Sequence, residues 1–365
     1  MRRFPHACTE PARTQALDLL TRSTTLTGYT ELALSVGLNP RLMLEKAGVP
    51  TEALSDADAM LSVDSVAGLL EESARQSGLE TFGLMLSESR GLGNLGAVGL
   101  VVREEPTLRD AVHVLLRYVH LQNRALELSL EDMGEFSLIH LDLRLRRHQG
   151  SRQGMEMAAG VLVRTLRFIT QSAFVPVRVC FVHGRSSRLD THRRVLGAPV
   201  DFSQAFNAVV CRSRDLDMVI PGADAALSRT LKSWLDSQLN AAHEDPVEPV
   251  RQVIRTLLPT GNCTVEHVAN YLGTHRRTLN RRLAGSGESV SSVIDGVRVQ
   301  VAETYLAMGT RTHYEIAHLL GFASGAEFSR WFRAQFGMTA SQWESSQRGH
   351  RRVGIAHAQE HSSEG

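Results

Sequence analysis

The stretch VANYLGTHRRTLNRRL, residues 268–283, sets Arg and Asn side chains beside a regular series of apolar residues. The apolar positions keep the spacing of two short helices, with Val268, Ala269 and Leu272 before Gly273 and with Leu279 and Leu283 after it. Thr264 is placed to cap the first helix. Two short helices joined by a tight glycine turn form a helix-turn-helix, whose second helix enters the major groove of DNA.

The same pattern returns in IAHLLGFASGAEFSRWF, residues 316–332. Ala269, Leu272 and Gly273 have counterparts 48 positions later in Ala317, Leu320 and Gly321, and Arg281 has one 49 positions later in Arg330. A longer helix is predicted between the copies, with Val290, Val293, Ile294, Val297, Val301 and Tyr305 facing inward. One copy is a moderately specific signal, whereas two predict paired units that fill successive major grooves about 34 Å apart.

The polar side of the first unit carries the residues that suit base recognition. With the apolar stripe buried, Arg277, Asn280 and Arg281 lie on the opposite and flanking faces of the second helix. Arg can bond guanine through two hydrogen bonds and Asn can bond adenine likewise, each pair contributing about 1–3 kcal/mol of discrimination. These three residues are predicted to read bases, and Arg276 and Arg282, further round, are predicted to contact phosphates.

The second unit presents fewer polar side chains. Ser324 is placed to cap its second helix, which turns Phe328, Phe332 and Phe336 inward. The predicted base-reading face carries Ala326, Glu327 and Arg330, and Arg333 is a predicted phosphate contact. We therefore expect this unit to discriminate less between sequences.

The charge of the chain is unevenly distributed. Residues 251–352 hold 13 Arg against 7 acidic residues, although the whole chain has a net charge of only +1. A basic third beside an acidic remainder indicates that only the C-terminal part meets a polyanion. Arg outnumbers Lys 38 to 2 in the whole chain. The presence of an Arg is therefore no evidence of a binding site here, and only its position on a helix face can be.

Length and composition limit the remaining classes of protein. At 365 residues the chain is long enough for two domains, and its 42% apolar content is that of a globular protein. No apolar run reaches the roughly 20 residues of a membrane span, and the start MRRFPHACTE lacks the apolar core of a signal peptide. Four scattered cysteines indicate reduced thiols. These features predict a cytoplasmic, nucleoid-associated protein without membrane contact.

The predicted organisation has five segments, which give an α+β N-terminal domain followed by an all-α C-terminal domain with two helix-turn-helix units. Residues 1–28 form a flexible arm, 29–236 the α+β domain, 237–250 a linker, 251–347 the DNA-binding domain and 348–365 a disordered tail. Helical spacing occupies 29–47, 62–90, 107–122 and 151–171, and no strand is expected after the linker. Alternating apolar residues predict strands around 139–145, entered through the turn EDMGE at 131–135, and around 175–181.

The doubled unit resembles the DNA-binding domain of AraC/XylS-type bacterial transcription regulators. The resemblance is carried by VANYLGTHRRTLNRRL, by VRVQVAETYLA at 297–307 and by IAHLLGFASGAEFSRWFRAQFGMTASQW. It places Arg277, Asn280, Arg281 and Arg330 at groove-reading positions. This sequence departs from the family pattern at two positions, both at helix ends and away from the reading face. His275 stands where the family usually has a capping Ser, and Thr274 could substitute. Ala340 stands where a Pro usually follows, so the end TASQWESS is expected to be less firmly fixed.

The N-terminal residues resemble one branch of that family, the ornithine-utilisation and virulence-regulator type with a large effector domain. The matching stretches are GLNPRLMLEKAGVP (37–50), EEPTLRDAV (104–112) and LGAPVDF (196–202). The resemblance implies that residues 29–236 form an effector-binding and dimerisation domain. It also implies double-stranded promoter DNA, a small effector and a second copy of the chain as partners, with RNA polymerase as a further candidate. The shortage of charge clusters favours an apolar or amphipathic effector, such as a fatty-acid-like molecule. Candidate effector-binding residues are Tyr118, His120, Arg124 and His140.

Other signals in the N-terminal domain are weak. GLGNLG at 91–96 spells GxGxxG, but the residues before it have helical spacing and AVGLVV after it suits a strand, which is the reverse of a dinucleotide fingerprint. No zinc spacing, nucleophile motif or P-loop occurs, so no cofactor, metal or catalytic residue is predicted. Two alternatives stay open: an architectural DNA-binding protein without an effector, and an enzyme domain fused to a DNA-targeting domain.

Overall fold

The structure is a computed structural model that describes residues 19–145, 152–187, 189–244, 247–258, 261, 263–272, 274–308 and 311–346. The chain divides into two compact units, one ending at Asp245 and one beginning at Pro246. The N-terminal unit mixes helices and strands, and the described residues of the C-terminal unit form helices and connecting turns. The predicted fold class, α+β followed by all-α, is confirmed.

The N-terminal unit begins with a small helical layer. Its elements are β1 (Leu20–Arg22), α1 (Tyr29–Ser35), α2 (Pro40–Ala47), β2 (Met60–Ser62), α3 (Val63–Ser77) and α4 (Phe82–Leu86). Strands β1 and β2 pair antiparallel, and Tyr29 and Phe82 anchor an apolar core against α3. The prediction of a flexible arm over 1–28 is wrong for its described end, because β1 is paired and Leu20 is buried. Residues 1–18 lie outside the described residues.

The second layer contains a five-stranded sheet. Its elements are α5 (Gly96–Arg103), α6 (Leu108–Tyr118), β3 (Leu126–Met133), β4 (Phe136–Leu143), α7 (Arg152–Ile169), β5 (Arg178–Cys180), α8 (Asp190–Leu196), β6 (Val200–Asp201), β7 (Ala208–Arg212) and α9 (Ala225–Glu244). The strand order is β3-β4-β7-β5-β6, and only the β5–β6 pair is parallel. Helix α7 contacts α3, α4 and β4, so it joins the two layers.

The sequence predicted one strand of the main hairpin and its turn, did not predict β3, and misassigned one segment. The predicted strand at 139–145 and its turn are confirmed, since β3 and β4 meet at Gly134 with a φ of +78°. The predicted strand at 175–181 is shorter, because only Arg178–Cys180 pairs. AVGLVV is not a strand but part of α5, where Gly99 lets the helix approach Leu92: an added Cβ would lie 2.3 Å from the Leu92 carbonyl oxygen.

The C-terminal unit consists of α10 (Glu248–Leu257), α11 (Val265–Tyr271), α12 (Arg276–Leu283), α13 (Val290–Met308), α14 (His313–Leu319) and α15 (Gly325–Phe336), with a further helical segment at 340–346. The prediction of a linker over 237–250 needs correction, because α9 continues to Glu244 and α10 begins at Glu248. Helix α10 packs on α13, so the C-terminal unit begins before residue 251. The predicted disordered tail, 348–365, lies outside the described residues.

Within the described part of the chain, no helix is long and apolar enough to cross a membrane.

Candidate nucleic-acid interface

The first pair of short helices forms as the apolar spacing predicts. The side chain of Thr264 accepts a hydrogen bond from the backbone N–H of His267 and so caps α11. Val268 and Ala269 on α11, and Leu279 and Leu283 on α12, are buried together with the first turns of α13. The apolar side of α12 therefore fixes this helix to its unit and leaves its polar side exposed. Gly273, predicted to end α11, lies outside the described residues.

Backbone hydrogen bonds repeat in the two copies at the predicted spacing. After α11, the N–H of Thr274 donates to the carbonyl of Ala269 over 2.9 Å. After α14, the N–H of Phe322 donates to the carbonyl of Ala317, also over 2.9 Å. Each helix thus ends in the same kind of turn, which satisfies carbonyls that the helix leaves unpaired. The doubled unit inferred from the sequence is present in the backbone.

An aromatic core holds the second unit. Ser324 accepts from the backbone N–H of Glu327 and caps α15, as predicted. Phe328 and Phe332 are buried, and the rings of Phe332 and Phe336 stack with centroids 4.2 Å apart. The expectation that TASQWESS is loosely held is wrong. Ala340 is buried in this core, Trp343 packs on Phe336, and the Thr339 hydroxyl accepts from the N–H of Gln342.

Helix α13 fixes the turn of the second unit through Arg298. The Arg298 Nε donates to the Leu320 carbonyl over 3.2 Å, and its guanidinium carbon lies 4.9 Å from the centre of the Phe322 ring. Sequence reasoning missed this role, because Leu320 and Phe322 lie 22 and more positions away from Arg298. The contact ties the start of the second turn to the helix that connects the two units.

The three predicted base-reading arginines are exposed and have no hydrogen-bond or ion-pair partner within the described residues. Arg277 and Arg281 lie one turn apart on α12, and Arg330 lies on the outer side of α15. Within the described part of the chain, none of the three side chains has a hydrogen bond or an ion pair. A guanidinium without an internal partner keeps all its donors for a ligand. Ala326 is also exposed, so α15 presents little bulk beside Arg330.

Two other predicted readers have structural partners. The Asn280 Oδ1 accepts from the N–H of Val290 over 3.0 Å, which satisfies the first turn of α13. The Glu327 carboxylate accepts from the N–H of Ala323 over 3.0 Å and so completes the cap of α15. A contact with adenine through both amide atoms requires the Asn oxygen, and a contact with cytosine requires the Glu oxygen. The Asn280 oxygen is thus already engaged, and the Glu327 carboxylate is engaged through Oε2 alone.

The predicted phosphate contacts differ among themselves. Arg276 is exposed and its Nη1 lies 2.9 Å from Glu266 Oε1. Arg282 is half-buried, which leaves less of it available to a ligand. Arg333 is exposed and lines a groove together with Arg330, His313 and the segment 339–341. Of the three, Arg333 is the cation best placed to meet a phosphate without breaking an internal ion pair.

The four predicted effector residues do not form one site. His120, Arg124 and His140 line an open groove beside the β3–β4 hairpin, where His140 Nε2 lies 2.9 Å from Glu131 Oε2. Tyr118 is buried outside this groove, and its hydroxyl donates to Asp236 Oδ1 on α9 over 2.6 Å. Burial and that hydrogen bond raise the pKa of Tyr118 to about 12, so the hydroxyl stays a donor. Tyr118 therefore anchors α9.

Comparisons with known proteins identify both parts of the chain. The family described as "Arabinose-binding domain of AraC transcription regulator, N-term" matches residues 37–220, and a helix-turn-helix domain family matches residues 268–346. The transcriptional regulator VirS of Mycobacterium tuberculosis is 30% identical over 329 residues, 90% of this chain and 97% of that protein. The Ornithine utilization regulator of Pseudomonas aeruginosa is 26% identical over 321 residues, 86% and 93% of the two chains.

Among solved structures, the transcriptional regulator CdpR from Pseudomonas aeruginosa covers 84% of this chain and 96% of its own, with 20% identity and a TM-score of 0.42.

Proposed function

Because the chain belongs to the AraC family of DNA-binding transcription regulators, we propose that its two C-terminal helix-turn-helix units bind adjacent major grooves of one promoter. A small effector bound by the N-terminal domain controls this binding. The regulator acts as a homodimer, and RNA polymerase is its further partner at the promoter.

The observation that carries the proposal is the uncompensated arginine face of the two units. Arg277 and Arg281 on α12, and Arg330 on α15, are exposed without an internal partner in the described residues. Helices α12 and α15 are each held by buried residues on their other side. An exposed Arg on a rigid helix can donate two parallel hydrogen bonds to guanine O6 and N7.

The roles of the remaining predicted readers follow from their contacts. We assign base reading to Arg277, Arg281 and Arg330, with Ala326 available for apolar contact with a thymine methyl group. Asn280 is instead a positioning residue, because its oxygen holds the start of α13. Glu327 is likewise a positioning residue for the start of α15. Arg333 and Arg276 are the phosphate contacts.

The experiment that tests the proposal first selects a cognate duplex from a random pool with the full chain. Arg281→Ala should then weaken binding to that duplex by about 1–3 kcal/mol and relax the preference at one base pair. The control Arg333→Ala should weaken cognate and scrambled duplex alike and lower the slope of log affinity against log salt by about one. If Arg281→Ala binds both duplexes as the parent does, α12 is not the reading helix.

The alternative of an architectural protein without an effector predicts a solid N-terminal core. The N-terminal unit instead contains a groove on the β3–β4 side and a largely enclosed cavity between its two layers. Such concave features are where small ligands bind. They favour the effector-controlled regulator.

The alternative of an enzyme domain would need ionisable groups that converge on a pocket. The most concentrated group is Glu156 on α7, whose Oε1 lies 3.2 Å from His192 Nε2 and 3.4 Å from His183 Nε2. Glu156 and His192 are fully buried, and both imidazole rings pack against Phe202. Neither the groove nor the cavity is lined by these residues. Their packing supports a structural role.

A further inference from the structure

A largely enclosed cavity of about 70 Å³, measured to the centre of a water-sized sphere, lies between the two layers of the N-terminal unit. One wall belongs to the core of the helical layer and is formed by Val66, Leu70, Met157 and Val161. The other wall belongs to the core of the sheet layer and includes Leu95, Leu143 and Ala158. The lining is mostly apolar, and it joins residues from both layers.

Arg90 also lines this cavity, and its cationic group has no partner. The Arg90 Nε is out of contact with solvent and makes no hydrogen bond, although the side chain as a whole is half-buried. Within the described part of the chain, no carboxylate pairs with it. Burial lowers the pKa of Arg90 to about 10, so the group is still charged at neutral pH. An N–H group that is removed from water without a partner opposes folding.

The other polar side chains of the wall are satisfied. Asn94 accepts from the N–H of Gly91 and donates to the Thr27 hydroxyl, and Gln122 donates to the Leu95 carbonyl over 2.9 Å. Thr21, Thr24, Thr25 and Asn123 each make a hydrogen bond as well. Among the residues that line the cavity, Arg90 is therefore the one with a buried hydrogen-bond donor that has no partner. Because this donor belongs to a cation, a suitable ligand is an anion.

We propose that this cavity binds a small carboxylate, whose acid group pairs with Arg90 and whose hydrocarbon part lies against the apolar walls. The volume has room for about five to seven water-sized atoms, which corresponds to a carboxylate with two oxygens and about three to five carbons. A guanidinium matches a carboxylate with two parallel hydrogen bonds. This inference rests on the proposed function in that the carboxylate is the effector of the regulator.

The shared chemistry of the ligand is an anion with a short apolar body, and linear and branched acids of this size both fit it. Chloride or phosphate would supply the charge but would leave the apolar walls without contacts. An alcohol of the same length would supply the contacts but not the charge. Comparing acids, alcohols and inorganic anions therefore tests the pairing with Arg90 and the contacts with the apolar walls separately.

The test measures ligand-dependent thermal unfolding of the full chain with sodium salts of linear acids from acetate to octanoate, with isovalerate, with the matching alcohols and with sodium chloride at equal ionic strength. We expect the largest stabilisation near propionate to valerate, with at least about tenfold weaker binding of the alcohols. Equal stabilisation by acid and alcohol, or none by any acid, would overturn the proposal.

Three variants locate the site. Arg90→Met should weaken carboxylate binding at least about tenfold, without lowering the unfolding temperature of the unliganded protein, since a buried Nε–H without a partner is removed. Ala67→Leu fills the cavity from α3 and should abolish binding with Arg90 intact. The matched control is Arg164→Met, because Arg164 is also half-buried with an unpaired Nε but does not line the cavity. A loss of binding in Arg164→Met equal to that in Arg90→Met would refute the assignment.

DNA binding measured on the same samples separates this inference from the proposed function. Cognate DNA binding without any carboxylate binding refutes the cavity and leaves the regulator standing. Carboxylate binding with unchanged DNA affinity refutes the effector role and leaves the site standing.

Discussion

The turn of the second helix-turn-helix unit should not tolerate a side chain at Gly321. This residue has a φ of +73°, and an added Cβ would lie 2.6 Å from the carbonyl oxygen of Leu258. That carbonyl accepts from the N–H of Gly261 over 3.1 Å, so it cannot move away freely. Gly321→Ala therefore meets two separate penalties. The left-handed backbone costs about 1–2 kcal/mol, and relief of the close contact costs about 1–3 kcal/mol more.

Gly337→Ala is the matched control. Gly337 ends α15 with a φ of +69°, and nothing lies within 4 Å of its added Cβ. Both variants lose the same unfolded-state entropy and adopt the same unfavourable backbone, so these contributions cancel between them. Gly321→Ala should thus be less stable than Gly337→Ala by about 1–3 kcal/mol, the part that comes from the contact alone.

Urea unfolding of the full chain, followed by tryptophan fluorescence, measures this difference. Trp331 and Trp343 lie in the aromatic core of the second unit and report its unfolding. Trp234 on α9 contributes a signal common to all variants. Equal unfolding midpoints for the two variants would show that the Leu258 carbonyl does not confine Gly321, and the account of this turn would be refuted.

Two further predictions concern stability and thiol reactivity. Helix α12 begins at His275, which has the extended backbone of an N-cap but makes no side-chain capping bond, so His275→Ser should raise the free energy of unfolding by about 1 kcal/mol. A lower urea midpoint for that variant would contradict this reading of the helix start. Burial raises the pKa of Cys211 and of Cys263 to about 12, so both thiols are protonated at pH 8 and should resist alkylation by iodoacetamide in the folded protein. Mass spectrometry after a brief reaction checks this, and rapid labelling of either cysteine without unfolding would refute it.

The helix-turn-helix pair was predictable because its signals are local. Thr264 and Ser324 cap helices through bonds to residues three positions away, and the apolar spacing that buries Leu279 and Phe328 lies within single helices. The segment AVGLVV was wrongly predicted as a strand, because a short apolar run that is buried on several sides has no clear periodicity. Its helix depends on Gly99 and its contact with Leu92, which a pattern of hydrophobicity does not reveal.

Contacts between residues far apart in the sequence decide which atoms of a side chain are already engaged, and the sequence alone does not show them. Asn280 has the right type and helix position for adenine, but its oxygen is taken by Val290. Tyr118 was a candidate for the effector, and its hydroxyl is taken by Asp236, 118 positions later. Arg90 gave no signal at all on a chain with 38 Arg. Its isolation appears only when the layers that enclose it are assembled.

The cavity and the last helix of the N-terminal unit meet at one short segment. Val119, Gln122 and Asn123 line the cavity, and Tyr118, directly before them, holds α9 through Asp236. Helix α9 is held a second time by Lys232, whose Nζ lies 2.7 Å from the buried carboxylate of Glu105. A ligand beside Arg90 therefore contacts the same stretch of chain that anchors α9. Since α9 is the last helix of this unit, we expect a ligand in the cavity to act on α9 through residues 118–123.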